Sequence, residues 1–231
     1  MKRSPVRLVR LLVLSLTLSS MVSSMVAIKP ATAQSIWERL FGRRIPEGRA
    51  SGRTRGGAVR DELCSAEAQG KSLVALVPES NQGDTISPHP TFFFYIPFSS
   101  RQNRDLAAEF MLLTEERNYL LDAPLRVSLP DQPGIVKVTV PDTFTGLAVG
   151  ERYNWYFSIL CEEWELSRNP FVSGWVERVA ADGVEDTWHE VLVTLSDNQA
   201  GDRLAWASLL SLFDLEEFSD NSVEPLQPIA P

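Results

Sequence analysis

Histidine and cysteine are the scarcest chemistry-bearing residues of this chain, with two of each in 231 residues. A zinc site takes three or four Cys, His or acidic ligands at short spacing, and Cys64, Cys161, His89 and His189 show no such spacing. No Gly-x-Ser-x-Gly turn and no His-Glu-x-x-His pattern occurs, which removes the two commonest hydrolase signatures. No Gly-rich phosphate loop opens a helix. His89 lies between Pro88 and Pro90 in a predicted loop, and His189 lies in a predicted helix between Trp188 and Glu190. Each reads as structural or surface, so no catalytic residue, metal or cofactor is predicted.

Glycosidase chemistry needs only two carboxylates. The candidate pairs are Glu115/Glu116, Glu162/Glu163 and Glu185/Asp186. Neighbours in a strand point to opposite faces, and at strand ends they are solvated, so none reads as a catalytic pair. The turn Asp182-Gly183-Val184-Glu185-Asp186 carries oxygen ligands of the type calcium prefers, but it lacks the spacing of a calcium loop. It reads as an acidic turn without an ion.

Basic charge is missing from most of the chain. Residues 61–231 carry ten basic and 28 acidic side chains, a net -18. Such a body repels phosphate backbones, so nucleic acid is excluded as a partner. The basic residues gather near the start. Residues 34–60 hold seven Arg against Glu38 and Glu47, a net +5.

Long apolar runs are missing too, except at the N-terminus. Lys2, Arg3, Arg7 and Arg10 form a basic head, Leu11 to Val26 an apolar run, and Ala31-Thr32-Ala33 a small-x-small site. Together these are a signal peptide over residues 1–33, cleaved after Ala33. The rival reading is an uncleaved anchor, but about 16 apolar residues fall short of the roughly 20 that span a bilayer. Export places the mature chain in the periplasm or outside the cell. In that setting an even cysteine count favours a Cys64–Cys161 disulfide. Closing a loop of nearly 100 residues, it would add at most about 4–5 kcal/mol. Two buried free thiols are the alternative.

Residues 34–60 read as an Arg/Gly-rich flexible linker, because the composition of 42–58 buries too little apolar area to order itself. Within it, Ile36, Trp37, Leu40 and Phe41 make one short apolar face beside Arg39, Arg43 and Arg44. Residues 36–44 are therefore a candidate for weak contact with a membrane surface.

What is abundant is short apolar runs between turn residues. Strands are predicted at 72–77, 91–96, 109–114, 118–121, 134–140, 152–161 and 171–179, a pattern that points to a β-sandwich domain over 61–180. Val136, Val138 and Val140 share one face. So do Tyr153, Trp155, Phe157, Ile159 and Cys161. The run 92–96 is apolar on both faces and bracketed by prolines, which predicts a central strand. After 180 the period lengthens. Trp188, Val191, Leu192 and Leu195 fit one helix face, and Trp206, Leu209, Leu210 and Phe213 another. Asp202 is the predicted N-cap of the second. The expected fold is mainly β, α+β overall: an immunoglobulin-like sandwich of about seven strands with a helical hairpin, 181–218, packed on it. The tail 219–231 is expected to be disordered.

The segment Leu147-Ala148-Val149-Gly150-Glu151-Arg152-Tyr153 resembles the corner before a late strand in immunoglobulin and fibronectin type III sandwiches. There a Leu plugs the core, a Gly turns the chain and a Tyr bonds back to the corner. Leu147, Gly150 and Tyr153 hold those places, while Val149 replaces the usual Pro.

Residues 55–215 also resemble a cyanobacterial family known as domain of unknown function 928. The matching pieces are Arg55-Gly56-Gly57 through Cys64, Leu73 to Pro78, Pro90 to Pro97, Pro133-Gly134-Ile135-Val136, Gly150 to Cys161 and Gly174 to Arg178. The resemblance implies an exported envelope protein with two structural cysteines, and it supplies no catalytic residue.

The expectation is thus a non-catalytic binding or assembly module of the cell envelope, receiving an envelope protein on its helical hairpin or on an exposed sheet edge. The alternative is a module for cell-wall polysaccharide, peptidoglycan or exopolysaccharide, with Trp164, Trp175, Trp188 and Trp206 as stacking platforms. A carboxylate hydrolase ranks third.

Overall fold

Phe92 to Ile96 organise the molecule, because both faces of that strand are buried. The computed structural model describes residues 50–56, 71–99, 106–121, 123–161, 169–182 and 186–229. The expected signal peptide, most of the expected linker, Cys64, Glu162, Glu163, Trp164 and Glu185 lie outside the described residues.

In chain order the strands are β1 (Val74–Ala75), β2 (Gln82–Thr85), β3 (Thr91–Ile96), β4 (Ala107–Thr114), β5 (Leu125–Ser128), β6 (Gly134–Thr139), β7 (Arg152–Leu160) and β8 (Phe171–Arg178). Two helices follow, α1 (Trp188–Asp197) and α2 (Arg203–Ser211), then a 3-10 turn at Glu216–Phe218 and β9 (Glu224–Pro225). One sheet has the order β1-β3-β6-β9 and the other β2-β8-β7-β4-β5. The fold is therefore mainly β, two packed sheets with a C-terminal helical pair. Setting β1, β3 and β6 against β4, β7 and β8 gives the strand arrangement of immunoglobulin-like sandwiches.

Two cores share β3. Phe92, Phe94 and Ile96 face the five-stranded sheet and meet Phe110, Trp155 and Phe157. Phe94 stacks on Phe157 at 4.1 Å between ring centroids. Phe93 and Tyr95 face the other way, into a second core closed by Trp188, Leu192, Trp206 and Leu209. The helices thus roof the outer face of the four-stranded sheet, as their apolar spacing predicts. Burial of the Tyr95 phenol pushes its pKa up to about 12.

The start of α1 is fastened by side chains from β2 rather than by its own cap. Asp84 Oδ1 accepts from Trp188 N at 3.0 Å, and Glu190 accepts from Thr85 Oγ1 at 2.7 Å and Ile86 N at 3.3 Å. Asp202 precedes α2 as expected but makes no cap hydrogen bond. Its carboxylate instead accepts from Asn198 Nδ2 at 2.8 Å.

Other expectations need correcting. The run 118–121 is no full strand: it folds back on β4 through a single bridge, Leu113 to Tyr119. β2, β5 and β9 were not predicted. β2 is polar because it is an edge strand, and its Gly83 lies against α1. A Cβ there would meet His189 Nε2 at 2.7 Å. The tail expected to be disordered is ordered through Ile229. Leu226 N donates to Lys137 O, Ser128 N to Gln227 O and Ile229 N to Arg126 O. Its backbone thereby satisfies the free edges of β6 and β5, which an unpaired strand leaves open. Part of the expected linker does the same at the opposite edge. Arg53 exchanges backbone bonds with Ser173 of β8, Gly56 N donates to Leu73 O, and Thr54 O accepts from Ala75 N of β1.

Candidate functional site

The outward side chains of the four-stranded sheet lie under the helices, whereas the outer face of the five-stranded sheet carries no such roof among the described residues. Strand alternation decides what that face presents. Residues Leu112, Trp155, Phe157, Val172 and Val176 point into the core. Their neighbours Met111, Leu113, Tyr156, Phe171 and Trp175 therefore point outward, each half-exposed. Register sets Met111 opposite Tyr156, and Leu113 opposite Asn154, which in turn faces Trp175.

Two arginines lie on these rings. The Arg53 guanidinium sits 4.6 Å from the Phe171 centroid and that of Arg152 sits 4.9 Å from Trp175. Such stacking adds to aromatic burial and fixes the ring orientation. Trp175 is held further by its Nε1, which donates to Ser51 O at 3.0 Å. Asn154, buried between Leu113 and Trp175, donates from Nδ2 to Gly174 O at 2.7 Å. Arg126 pairs with Glu109 at 3.0 Å and Arg152 approaches Glu115 at 3.6 Å. The result is an apolar and aromatic centre with a polar margin of mixed sign.

The residues singled out in the sequence are scattered. Trp188 and Trp206 are core residues under the hairpin and cannot join Trp175 in a stacking platform. Glu115 stands at the exposed turn after β4 with Glu116. Hydrogen bonds from its own backbone and from Thr114 lower the Glu116 pKa. His89 is half-buried in the loop before β3. His189 is buried in α1, its Nδ1 at 2.9 Å from Thr91 O and its Nε2 without a hydrogen-bond partner. Among the described residues no three His, Cys, Asp or Glu side chains gather as metal ligands.

At the corner, Leu147 is buried and Gly150 has φ +84°, a conformation that favours glycine. Tyr153 Oη accepts from Ala148 N at 3.0 Å. Arg178 of β8 bonds to Leu147 O and Ile86 O, tying the corner to the sheet. Cys161 follows β7 and packs against the core, its N–H donating to Asn169 Oδ1 at 2.9 Å. No cysteine among the described residues is free. The apolar segment 36–44 lies outside the described residues. No helix of the described residues is long and apolar enough to cross a membrane.

In the sequence, alternation marks the residues of the open face as outward without saying whether anything covers them. The sequence expectation is a docking surface on the helical hairpin or on an exposed sheet edge. The hairpin spends its apolar face on the second core, and the N- and C-terminal segments pair along two edges.

The family described as Domain of Unknown Function (DUF928) matches residues 51–185, more than half of the chain. No curated protein and no solved structure matches it.

Proposed function

This chain belongs to the DUF928 family, whose description assigns no activity, and we propose that it is a non-catalytic binding or assembly module of the cell envelope. In this reading the signal peptide delivers it to the periplasm or cell exterior, Cys64 and Cys161 form a disulfide there, and the partner is an envelope protein.

The observation that carries the reading is the open face of the five-stranded sheet. Met, Tyr, Trp, Phe and Arg are the residue types enriched at the centres of protein interfaces. Here Met111, Tyr156, Trp175, Phe171, Arg53 and Arg152 share one surface. Flat, pre-stacked side chains also lose less rotamer freedom on docking than free ones. The paired edges favour face-on docking over strand addition.

In-cell crosslinking of a tagged chain, compared with a Tyr156→Asp variant, tests this. The expected result is a reproducible envelope partner captured by the parent and lost by the variant. Leu204→Asp, at a residue 76% exposed on α2, should leave capture intact. Equal capture by all three would refute the assignment of the face.

The aromatic row keeps polysaccharide binding as a second reading. Saturable quenching of Trp175 fluorescence by peptidoglycan fragments, abolished by Trp175→Phe, would favour it. An unchanged spectrum would remove it.

A further inference from the structure

Away from the open face, the N-terminal segment, the edge of β1 and the end of the hairpin enclose a cleft of about 460 Å³, within the size range of small-molecule sites. Its sheet side is apolar: Val74, Ala75 and Val77. Trp188 walls it, and Leu212 and Phe213 line the hairpin side. Leu212 is 50% exposed there, so the apolar surface continues to the mouth. Among the described residues, two charged residues line the cleft, Arg55 and Glu79.

Those two charges are not equivalent. Arg55 is already engaged: its Nη2 donates to Phe213 O at 2.9 Å and to Asp214 Oδ2 at 3.0 Å. It clamps the end of the hairpin to the N-terminal segment, and Asp214 offsets its charge. Glu79 is exposed and has no ion-pair or hydrogen-bond partner among the described residues. Among the described residues the uncompensated charge of the cleft is therefore negative, in a chain whose formal charge is -8.

We propose that this cleft is a binding site for an aliphatic cation, an alkyl stem ending in an ammonium or guanidinium group. The stem lies on Pro78, Leu212 and Phe213, the accessible apolar lining over buried Val74, Val77 and Trp188, and the head meets the Glu79 carboxylate. Long basic groups divide in this way between an apolar stem and a charged tip, and the acidic surface raises their local concentration. The site is independent of the open face, so either assignment can fail alone. The chemistry has two sources, a free amine or the Lys side chain of another protein.

The test is methyl NMR of the full mature chain titrated with n-hexylammonium, n-hexanol and hexanoate. Hexylammonium should shift the methyls of Val74, Val77 and Leu212 saturably. Hexanol should bind a few-fold more weakly, up to about fivefold, the worth of an ion pair with an exposed carboxylate, and hexanoate more weakly still. Glu79→Gln should bring hexylammonium down to the hexanol level with an unchanged melting temperature. Equal affinity of hexylammonium and hexanol would overturn the proposal. So would an unaltered Glu79→Gln variant, shifts confined to other methyls, or no saturable binding. N-acetyl-lysine N-methylamide then separates the sources. Binding as tight as hexylammonium supports a side chain, and absence of binding beside a positive hexylammonium result supports a free amine.

Discussion

His189 makes the stability of this fold depend on pH in a direction that the structure fixes. Its ring is buried between β2, β3 and α1, edge-on to Phe92 at 4.9 Å between centroids. Burial lowers its pKa from the ordinary value of 6.5; the bond at Thr91 O and the charges of Glu190 and Asp84 oppose the shift without cancelling it. The neutral tautomer with a proton on Nδ1 donates to Thr91 O, and a second proton on Nε2 would find no acceptor. The unfolded chain therefore takes up a proton that the folded chain refuses. Stability from this group is fully present above about pH 6.5 and falls as pH drops toward the folded pKa. If the ring stays neutral in the fold, lowering pH from 7.5 to 5.5 costs about 1.4 kcal/mol, one pKa unit of linkage. Urea unfolding followed by tryptophan fluorescence at those pH values measures it. His189→Asn is the matched control, since its amide reaches toward Thr91 O without titrating. That variant should be less stable at pH 7.5 by about 1–2 kcal/mol from lost ring packing, yet flat between pH 7.5 and 5.5. The same acid loss in both proteins would refute the assignment to His189.

Three further outcomes are expected. Gly83→Ala should drive a methyl into His189 and destabilise by about 1–3 kcal/mol; a neutral thermal melt would show that α1 does not press on β2 as described. Tyr153→Phe leaves Ala148 N without its acceptor and should cost about 1 kcal/mol, so an unchanged urea midpoint would remove the corner hydrogen bond as a contributor. Reduction should lower the melting temperature through loss of the proposed Cys64–Cys161 bridge. Two titratable thiols before reductant and an unaltered midpoint would discard that bridge.

How much of this molecule is legible in its sequence follows from where its free energy lies. The runs 91–96, 134–139, 152–160 and 171–178 read clearly as strands because every second residue, or every residue, enters a core, and burial writes a period into the chain. The helices read equally well, because Trp188, Val191, Leu192 and Leu195 repeat at the spacing of one face. Elements held by backbone pairing at an edge leave no such period. Gln82-Gly83-Asp84-Thr85 looks like a turn, yet it pairs with β8 along all four residues. The segments at 50–56 and 224–229 look like linker and tail, yet their main chains pair along the sheet edges. Edge pairing asks little of side chains, so polar, Gly- and Pro-containing sequence serves, and composition misleads. The open face was illegible for a related reason. Its residues alternate like those of any half-solvated strand, and only the helical roof on the opposite sheet makes a side without one, among the described residues, informative. The cleft is one step further removed, because Arg55, Glu79 and Leu212 come from three distant parts of the chain. What separates a neutralised Arg55 from an unpaired Glu79 is Asp214 at a left-handed turn, φ +58°, a geometry that no spacing in the sequence announces.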